Sequence, residues 1–246
     1  MNNAFALLKT VLLITGYLLM SASLTVAQPL SPEAEVPCDT AVSSNIPLNP
    51  AGNEAAVCTQ RTYQLPATDT LALRQENYDT IEVEAWDGTT IRVEAVVVAR
   101  RATDEAAQSD VARITLNRAD AGAASTRLFA AGPDSDAPGW WSIRYRLRVP
   151  AQTTLDISSK NGGIAVRDVV GAHQLRSENG SLTYRLPTDA GARLRAETEN
   201  GIIETTFPVT TQGTVSTRYL EIVVGEGGPE SLLTTRNGNV TIQRTD

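Results

Sequence analysis

The chain has 246 residues, a single histidine, two cysteines, and 28 acidic against 21 basic side chains, for a net charge of −7. That acidic balance is repelled by a phosphate backbone and excludes nucleic acid as a partner, and one histidine with two cysteines leaves little from which to build a metal centre. With 41% apolar residues over this length, the chain can bury one sizeable core or two small ones.

At the amino terminus Lys9 precedes the apolar run Val11–Met20, and Thr25-Val26-Ala27 stands before Gln28. This is the pattern of a secretory signal, residues 1–27, cleaved after Ala27. An uncleaved anchor is the alternative, but Thr15 and Gly16 interrupt the run, which falls short of the ~20 residues a span needs. No further apolar segment of spanning length follows, so no stable membrane span is expected after cleavage, and the mature chain should be exported to the periplasm, the cell surface or the medium. Residues 28–62, rich in Pro, Ala, Ser and Asn, read as an extended segment. Cys38 and Cys58 lie in it, and in an exported chain they are expected to pair. A metal site built from them and the distant His173 would lack the four well-spaced ligands that are usual; His173 reads as a loop residue.

Residues 63–150 form a second region, strand-like from Tyr63. Ile81, Val83 and Ala85 alternate with Glu82 and Glu84, Asp87-Gly88 turns the chain, and Ile91, Val93, Ala95 and Val97 alternate with Arg92 and Glu94, which predicts a hairpin with one wet face. Thr103 can cap a short helix through Ser109, and Val111–Leu116 reads as a strand. The Gly-, Pro- and Asp-containing stretch Ala131–Gly139 is a loop; its Asp134 and Asp136 alone are too few ligands for calcium. In Trp140–Val149 the odd positions Trp141, Ile143, Tyr145, Leu147 and Val149 share the buried parity. Trp140, Arg144, Arg146 and Arg148 then face outward, a candidate binding patch of residue types in which binding energy concentrates. The alternative is that Glu82, Glu84 and Glu94 neutralise the arginines while Trp140 folds under the loop.

Residues 151–246 carry a repeat. Asn161-Gly162, Asn179-Gly180, Asn200-Gly201 and Asn237-Gly238 each have a Ser or Thr two residues earlier, and the asparagines are 18, 21 and 37 residues apart. Midway through the last gap Thr217–Val224 aligns with Thr235–Ile242, which makes five copies, the fourth without its Asn-Gly. Apolar columns (Ile157, Leu175, Ala196, Leu233; Ile164, Leu182, Ile203, Val240) alternate with polar ones on both sides of the turn, so each copy is two short strands with one buried face. Asn-Gly is expected to supply the positive φ of a tight turn. The fold predicted is all-β: a single-stranded β-solenoid of about five coils of 18–21 residues, preceded by β-strands. Its columns become ladders. The inward hydroxyls Ser159, Ser177, Thr198, Thr217 and Thr235 are expected to partner one another, and Lys160, Glu178, Glu199, Arg218 and Arg236 form a solvated charged column with two attractive and two repulsive steps. Leu220 in place of glycine predicts a continuous strand through Thr217–Val224.

The run Arg144–Pro150, followed by Leu155-Asp156-Ile157-Ser158-Ser159-Lys160-Asn161-Gly162-Gly163-Ile164 and the recurring Asn-Gly units, resembles the bacterial putative-adhesin family, a domain of unknown function related to auto-transporter adhesin heads. The likeness spans roughly residues 70–242. The resemblance implies a right-handed solenoid, exported or surface-exposed, with an adhesive role, and brings no catalytic residues. The function expected is therefore a noncatalytic, adhesin-like envelope or surface module whose ligand is a glycan, a protein or another envelope component; a scaffolding role is the alternative. A polysaccharide-active enzyme would need two converging carboxylates, for which only Glu178, Glu199 and Glu204 qualify. No nucleophile elbow, Walker loop or dinucleotide fingerprint occurs, and no cofactor is expected.

Overall fold

The computed structural model describes residues 27–38, 55–120, 122, 124–134, 140–208 and 216–245. Residues 1–26 of the expected secretory signal and part of the expected Ala131–Gly139 loop, including Asp136, lie outside the described residues.

The first strands are β1 (Gln28–Pro29), β2 (Ala34–Pro37), β3 (Ala55–Pro66), β4 (Thr70–Tyr78), β5 (Ile81–Trp86) and β6 (Thr90–Arg101). Helix α1 (Asp104–Arg113) follows, then β7 (Thr115–Asp120), β8 (Ser125–Ala131) and β9 (Trp140–Pro150). The repeat region holds β10 (Thr154–Asn161), β11 (Ile164–Arg167), β12 (His173–Asn179), β13 (Leu182–Leu186), β14 (Ala192–Asn200) and β15 (Ile203–Thr205). It closes with β16 (Tyr219–Val224), β17 (Glu230–Asn237) and β18 (Val240–Arg244).

These strands make two nine-stranded mixed sheets, in the orders β1-β7-β8-β4-β10-β12-β17-β14-β16 and β15-β18-β13-β11-β5-β9-β6-β3-β2. The all-β class holds, but the single-stranded solenoid does not form. Two observations overturn it. The last repeat, β17–β18, inserts between β12–β13 and β14–β15 instead of stacking after them, and β16 runs antiparallel to β14 as an edge strand. The amino-terminal half, moreover, is not an appendage, because β4 and β5 pair in parallel with β10 and β11 and extend the same two sheets.

One unit nevertheless recurs: a strand in one sheet, a turn, and a strand in the other. Such rungs are β4–β5, β10–β11, β12–β13, β17–β18 and β14–β15 in spatial order, with β8 beside β4 and β9 beside β5. The inward columns meet in register, Leu73–Ile157–Leu175–Leu233–Ala196 on one sheet and Val83–Val166–Tyr184–Ile242 on the other. All of these are buried in one continuous core, and each large side chain removed from water there contributes about 1.5–3 kcal/mol.

The expected hairpin is also revised. β5 and β6 are not neighbours: β9 lies between them, parallel to β5 and antiparallel to β6. β9 instead completes both ladders with its odd residues inward, as the alternation predicted. The helix forms, capped by Thr103, whose hydroxyl accepts from the Ala106 N–H at 3.3 Å, with Asp104 and Glu105 in the first turn. It takes in Val111–Arg113, so the strand read there starts only at Thr115. Arg61 donates to the carbonyls of Ile114 (2.5 Å) and Val111 (2.9 Å), satisfying helix-end acceptors. Cys38 and Cys58 form the expected disulfide, with Cα atoms 5.5 Å apart, tying the segment after β2 to β3. His173 is a buried residue opening β12, not a loop residue. Its Nδ1 accepts from the Leu155 N–H (3.3 Å) and its Nε2 donates to the Val169 carbonyl (3.1 Å).

Candidate functional site

The parallel register brings Asn161, Asn179, Asn237 and Asn200 into one column at the rim. Their amides hydrogen-bond head to tail: Asn200 to Asn237 (2.8 Å), Asn237 to Asn179 (2.8 Å) and Asn179 to Asn161 (3.0 Å). Only a parallel, in-register stack of identical amides allows such a ladder, and it holds the turns at one height.

The glycines that follow do not supply a left-handed turn. Among the described residues positive φ is found at Asp79, Asp168, Gly122, Gly225 and Gly227, and not at Gly162, Gly180, Gly201 or Gly238. Their requirement is space: a Cβ on Gly180 would lie less than 3.0 Å from the Gly162 carbonyl oxygen, one on Gly238 equally close to that of Gly180, and one on Gly201 to that of Gly238. Leu220 adopts no positive φ either, and the continuous strand expected through Thr217–Val224 covers Tyr219–Val224.

The same close approach redirects the hydroxyl column. Ser177 donates to the Gly162 carbonyl (3.0 Å), Thr235 to Gly180 (2.8 Å) and Thr198 to Gly238 (2.8 Å), so each hydroxyl holds the neighbouring turn and not another hydroxyl. Thr217 and Arg218 are exposed and outside the ladder. In the rung β4–β5 Asp79, at φ 141, stands where the others have glycine, and the Ser159 hydroxyl beside it on β10 is buried with no partner among the described residues.

Insertion of the last rung also re-sorts the charges. The register places them in the order Lys160, Glu178, Arg236, Glu199, so every step is attractive, with Arg236 Nε 3.3 Å from Glu199 Oε2. The column is a solvated face, as expected. It borders a recess of about 550 Å³ lined by Arg74, Gln75, Glu76, Ser159, Lys160 and Arg236, among others. Glu204 belongs to the opposite sheet, on β15, and does not converge with Glu178 and Glu199.

A second cavity, about 580 Å³, shares Arg74, Gln75 and Glu76 and opens between the ends of β4 and β8 and the inner face of β9. Its other walls include Arg127, Phe129, Trp141 and Tyr145. Tyr145 is 1% exposed and Gln75 5% exposed. The Tyr145 hydroxyl and Gln75 Oε1 have no hydrogen-bond partner among the described residues, while Gln75 Nε2 donates to the Ile143 carbonyl at 2.7 Å. Burial pushes the Tyr145 phenol well above its ordinary pKa, keeping it a neutral donor. Sequence reasoning missed this cleft. The available signal was Gln75, a polar residue on the inward parity of Leu71 and Leu73.

The outward residues of β9 differ in their partners. Trp140 is 37% exposed, with the Arg100 guanidinium 4.7 Å from its ring centroid. Arg144 pairs with Asp79 (2.9 Å) and Arg146 with Glu82 (3.2 Å). Arg148 lies across from Glu84 in register and has no ion pair among the described residues. Among the described residues there is no cluster of three potential metal ligands, and no helix is long and apolar enough to cross a membrane.

Solved structures similar to the chain include a putative cell adhesion protein from Clostridium sporogenes (9% identity, 76% of this chain and 99% of that one, TM-score 0.44). A putative adhesin from Bacteroides fragilis matches at 10% identity over 76% and 97% of the two chains, TM-score 0.27, and one from Parabacteroides merdae at 10% over 79% and 97%, TM-score 0.28. The names of these neighbours agree with the family that the sequence resembles. With scores and identities this low, the likeness carries no argument about what the chain binds. No protein-family model and no curated protein matches.

Proposed function

We propose that the chain is an exported, noncatalytic binding module that recognises a surface glycan, protein or envelope component through the rim of its two sheets. One observation carries this reading: the alternating charge column, next in sequence to the amide ladder, lines a recess that shares Arg74, Gln75 and Glu76 with the adjoining cleft. Its groups are held by parallel backbone ladders, so little ordering entropy is lost when a partner docks. The leader-like amino terminus and the Cys38–Cys58 disulfide support export. Glu178 and Glu199 flank Arg236 on an open face and Glu204 faces away, an arrangement that supports recognition over acid–base chemistry.

The test is retention of the mature protein on an array of glycans and matrix proteins. Saturable binding that Arg236→Glu weakens is the expected result. Reproducible turnover of any polysaccharide, abolished by Glu199→Gln, would sink the noncatalytic reading.

A further inference from the structure

Three buried polar atoms lining the two adjoining cavities have no hydrogen-bond partner among the described residues: Tyr145 Oη, Gln75 Oε1 and Ser159 Oγ. Gln75 and Ser159 are register partners on β4 and β10, and Gln75 is tied to Ile143, two residues from Tyr145 on β9. Unpaired buried polar groups are costly and uncommon, and several in one place call for a reason. Here Gln75 lies in the wall shared by the cleft and the adjoining recess, with Tyr145 lining the cleft and Ser159 the recess.

The chemistry offered is specific. Tyr145 presents a phenol that can donate, and Gln75 presents an amide oxygen that can only accept. A hydroxyl group, which both accepts and donates, satisfies them, whereas an apolar ligand would leave them stranded. Half-buried Trp141 and Phe129 add aromatic surface to the cleft. The apolar C–H faces of a sugar ring pack on such surface while its hydroxyls bond at the edges. The Trp141 ring is fixed by its Nε1–H donating to the Pro133 carbonyl (3.0 Å) and by close packing on Gly132.

Charge at the mouth narrows the class further. Arg74 is paired with Glu76 at 3.1 Å, but Arg127 is exposed and has no carboxylate partner among the described residues. A guanidinium in that position favours a carboxylate. We infer that the cleft bounded by Gln75, Arg127, Trp141 and Tyr145 binds a uronic-acid unit of an acidic polysaccharide, its ring on Trp141, its hydroxyls on Tyr145 and Gln75, and its carboxylate on Arg127. This rests on the binding-module reading and names the ligand class of its cleft.

The experiment is calorimetric titration of the disulfide-intact mature protein with tetragalacturonate, and with its methyl ester as the uncharged comparator. The acid binds with a dissociation constant of about 0.1–1 mM, and the ester about tenfold more weakly. Arg127→Gln weakens the acid about tenfold and leaves the ester unchanged. Tyr145→Phe weakens both about tenfold yet does not lower the thermal midpoint, because the lost hydroxyl has no partner in the free protein; a purely structural tyrosine would lower the midpoint and leave affinity alone. Equal binding of acid and ester, or of a neutral glycan only, overturns the uronate assignment. Tetragalacturonate binding insensitive to Arg127→Gln and Tyr145→Phe but lost in Arg236→Glu overturns the cleft and leaves the proposed function standing. Absence of tetragalacturonate binding overturns the inference; absence of every array ligand as well overturns the proposed function with it.

Discussion

Replacing Gly180 by alanine places a methyl carbon less than 3.0 Å from the carbonyl oxygen of Gly162 and 2.8 Å from the amide nitrogen of Gly163. These are backbone atoms, so no rotamer change relieves the clash. The two rungs must part, at the expense of the bonds from the Ser177 hydroxyl to Gly162 O (3.0 Å) and from the Asn179 amide to Asn161 (3.0 Å). Overpacking costs about 1–3 kcal/mol, and each weakened hydrogen bond about 1 kcal/mol, so a loss of roughly 3–5 kcal/mol is expected. With a urea m-value of about 2–3 kcal/mol per molar for a chain of this size, the unfolding midpoint falls by about 1–2 M at unchanged m. Gly180→Asn separates close approach from left-handed backbone. Asparagine tolerates positive φ better than alanine, yet carries the same Cβ and more behind it, so its midpoint should be no higher than that of Gly180→Ala. At Gly122, where φ is +113 and a Cβ would meet nothing within 4 Å, the order should reverse. A Gly180→Asn protein as stable as the parent beside a crippled Gly180→Ala would refute the close-approach reasoning.

Three further outcomes are expected. Asn237→Ala removes an amide that donates to Asn179 and accepts from Asn200, and should cost about 2 kcal/mol by urea unfolding; an unchanged midpoint would show the ladder to be ornamental. Cys58→Ser opens a loop whose ends are 20 residues apart and should cost about 3 kcal/mol in thermal unfolding, with faster amide exchange in β2 and β3 than in β12 and β17; equal acceleration everywhere would contradict that placement. Burial in contact with Tyr184, whose ring lies edge-on at 5.4 Å, holds the His173 pKa below its ordinary 6.5. Below about pH 6.5 the unfolded chain therefore binds a proton that the folded chain refuses, so stability present above that pH declines on acidification towards the folded pKa, by up to about 1.4 kcal/mol per pH unit. Urea midpoints between about pH 7.5 and 5.5 should show the slope, and His173→Gln should flatten it; the same slope in both proteins would exclude His173 as its source.

Local chemistry made several features legible in the amino-acid order. The apolar columns around Ile157, Leu175 and Leu233, the polar partners between them, the Thr103 helix cap, the inward parity of Tyr145 on β9 and the Cys38–Cys58 pairing all follow from neighbours a few residues apart or from the redox setting that a leader-like amino terminus implies. What the tertiary structure alone decided is long-range pairing. Neither the insertion of β17–β18 between β12–β13 and β14–β15 nor the placing of β9 between β5 and β6 is encoded by any short spacing. Each of the four Asn-Gly copies has the same two strands and the same turn, so they could stack in several orders with equal local satisfaction. One cross-strand difference is visible in the result: sequential stacking sets Glu178 beside Glu199, and the observed order puts Arg236 between them. The cleft was illegible for the same reason, since Gln75, Arg127 and Tyr145 come from three strands that meet only once both sheets have closed. Even the role of the glycines changed, because whether a turn needs positive φ or an absent Cβ depends on how closely the next rung's carbonyl approaches.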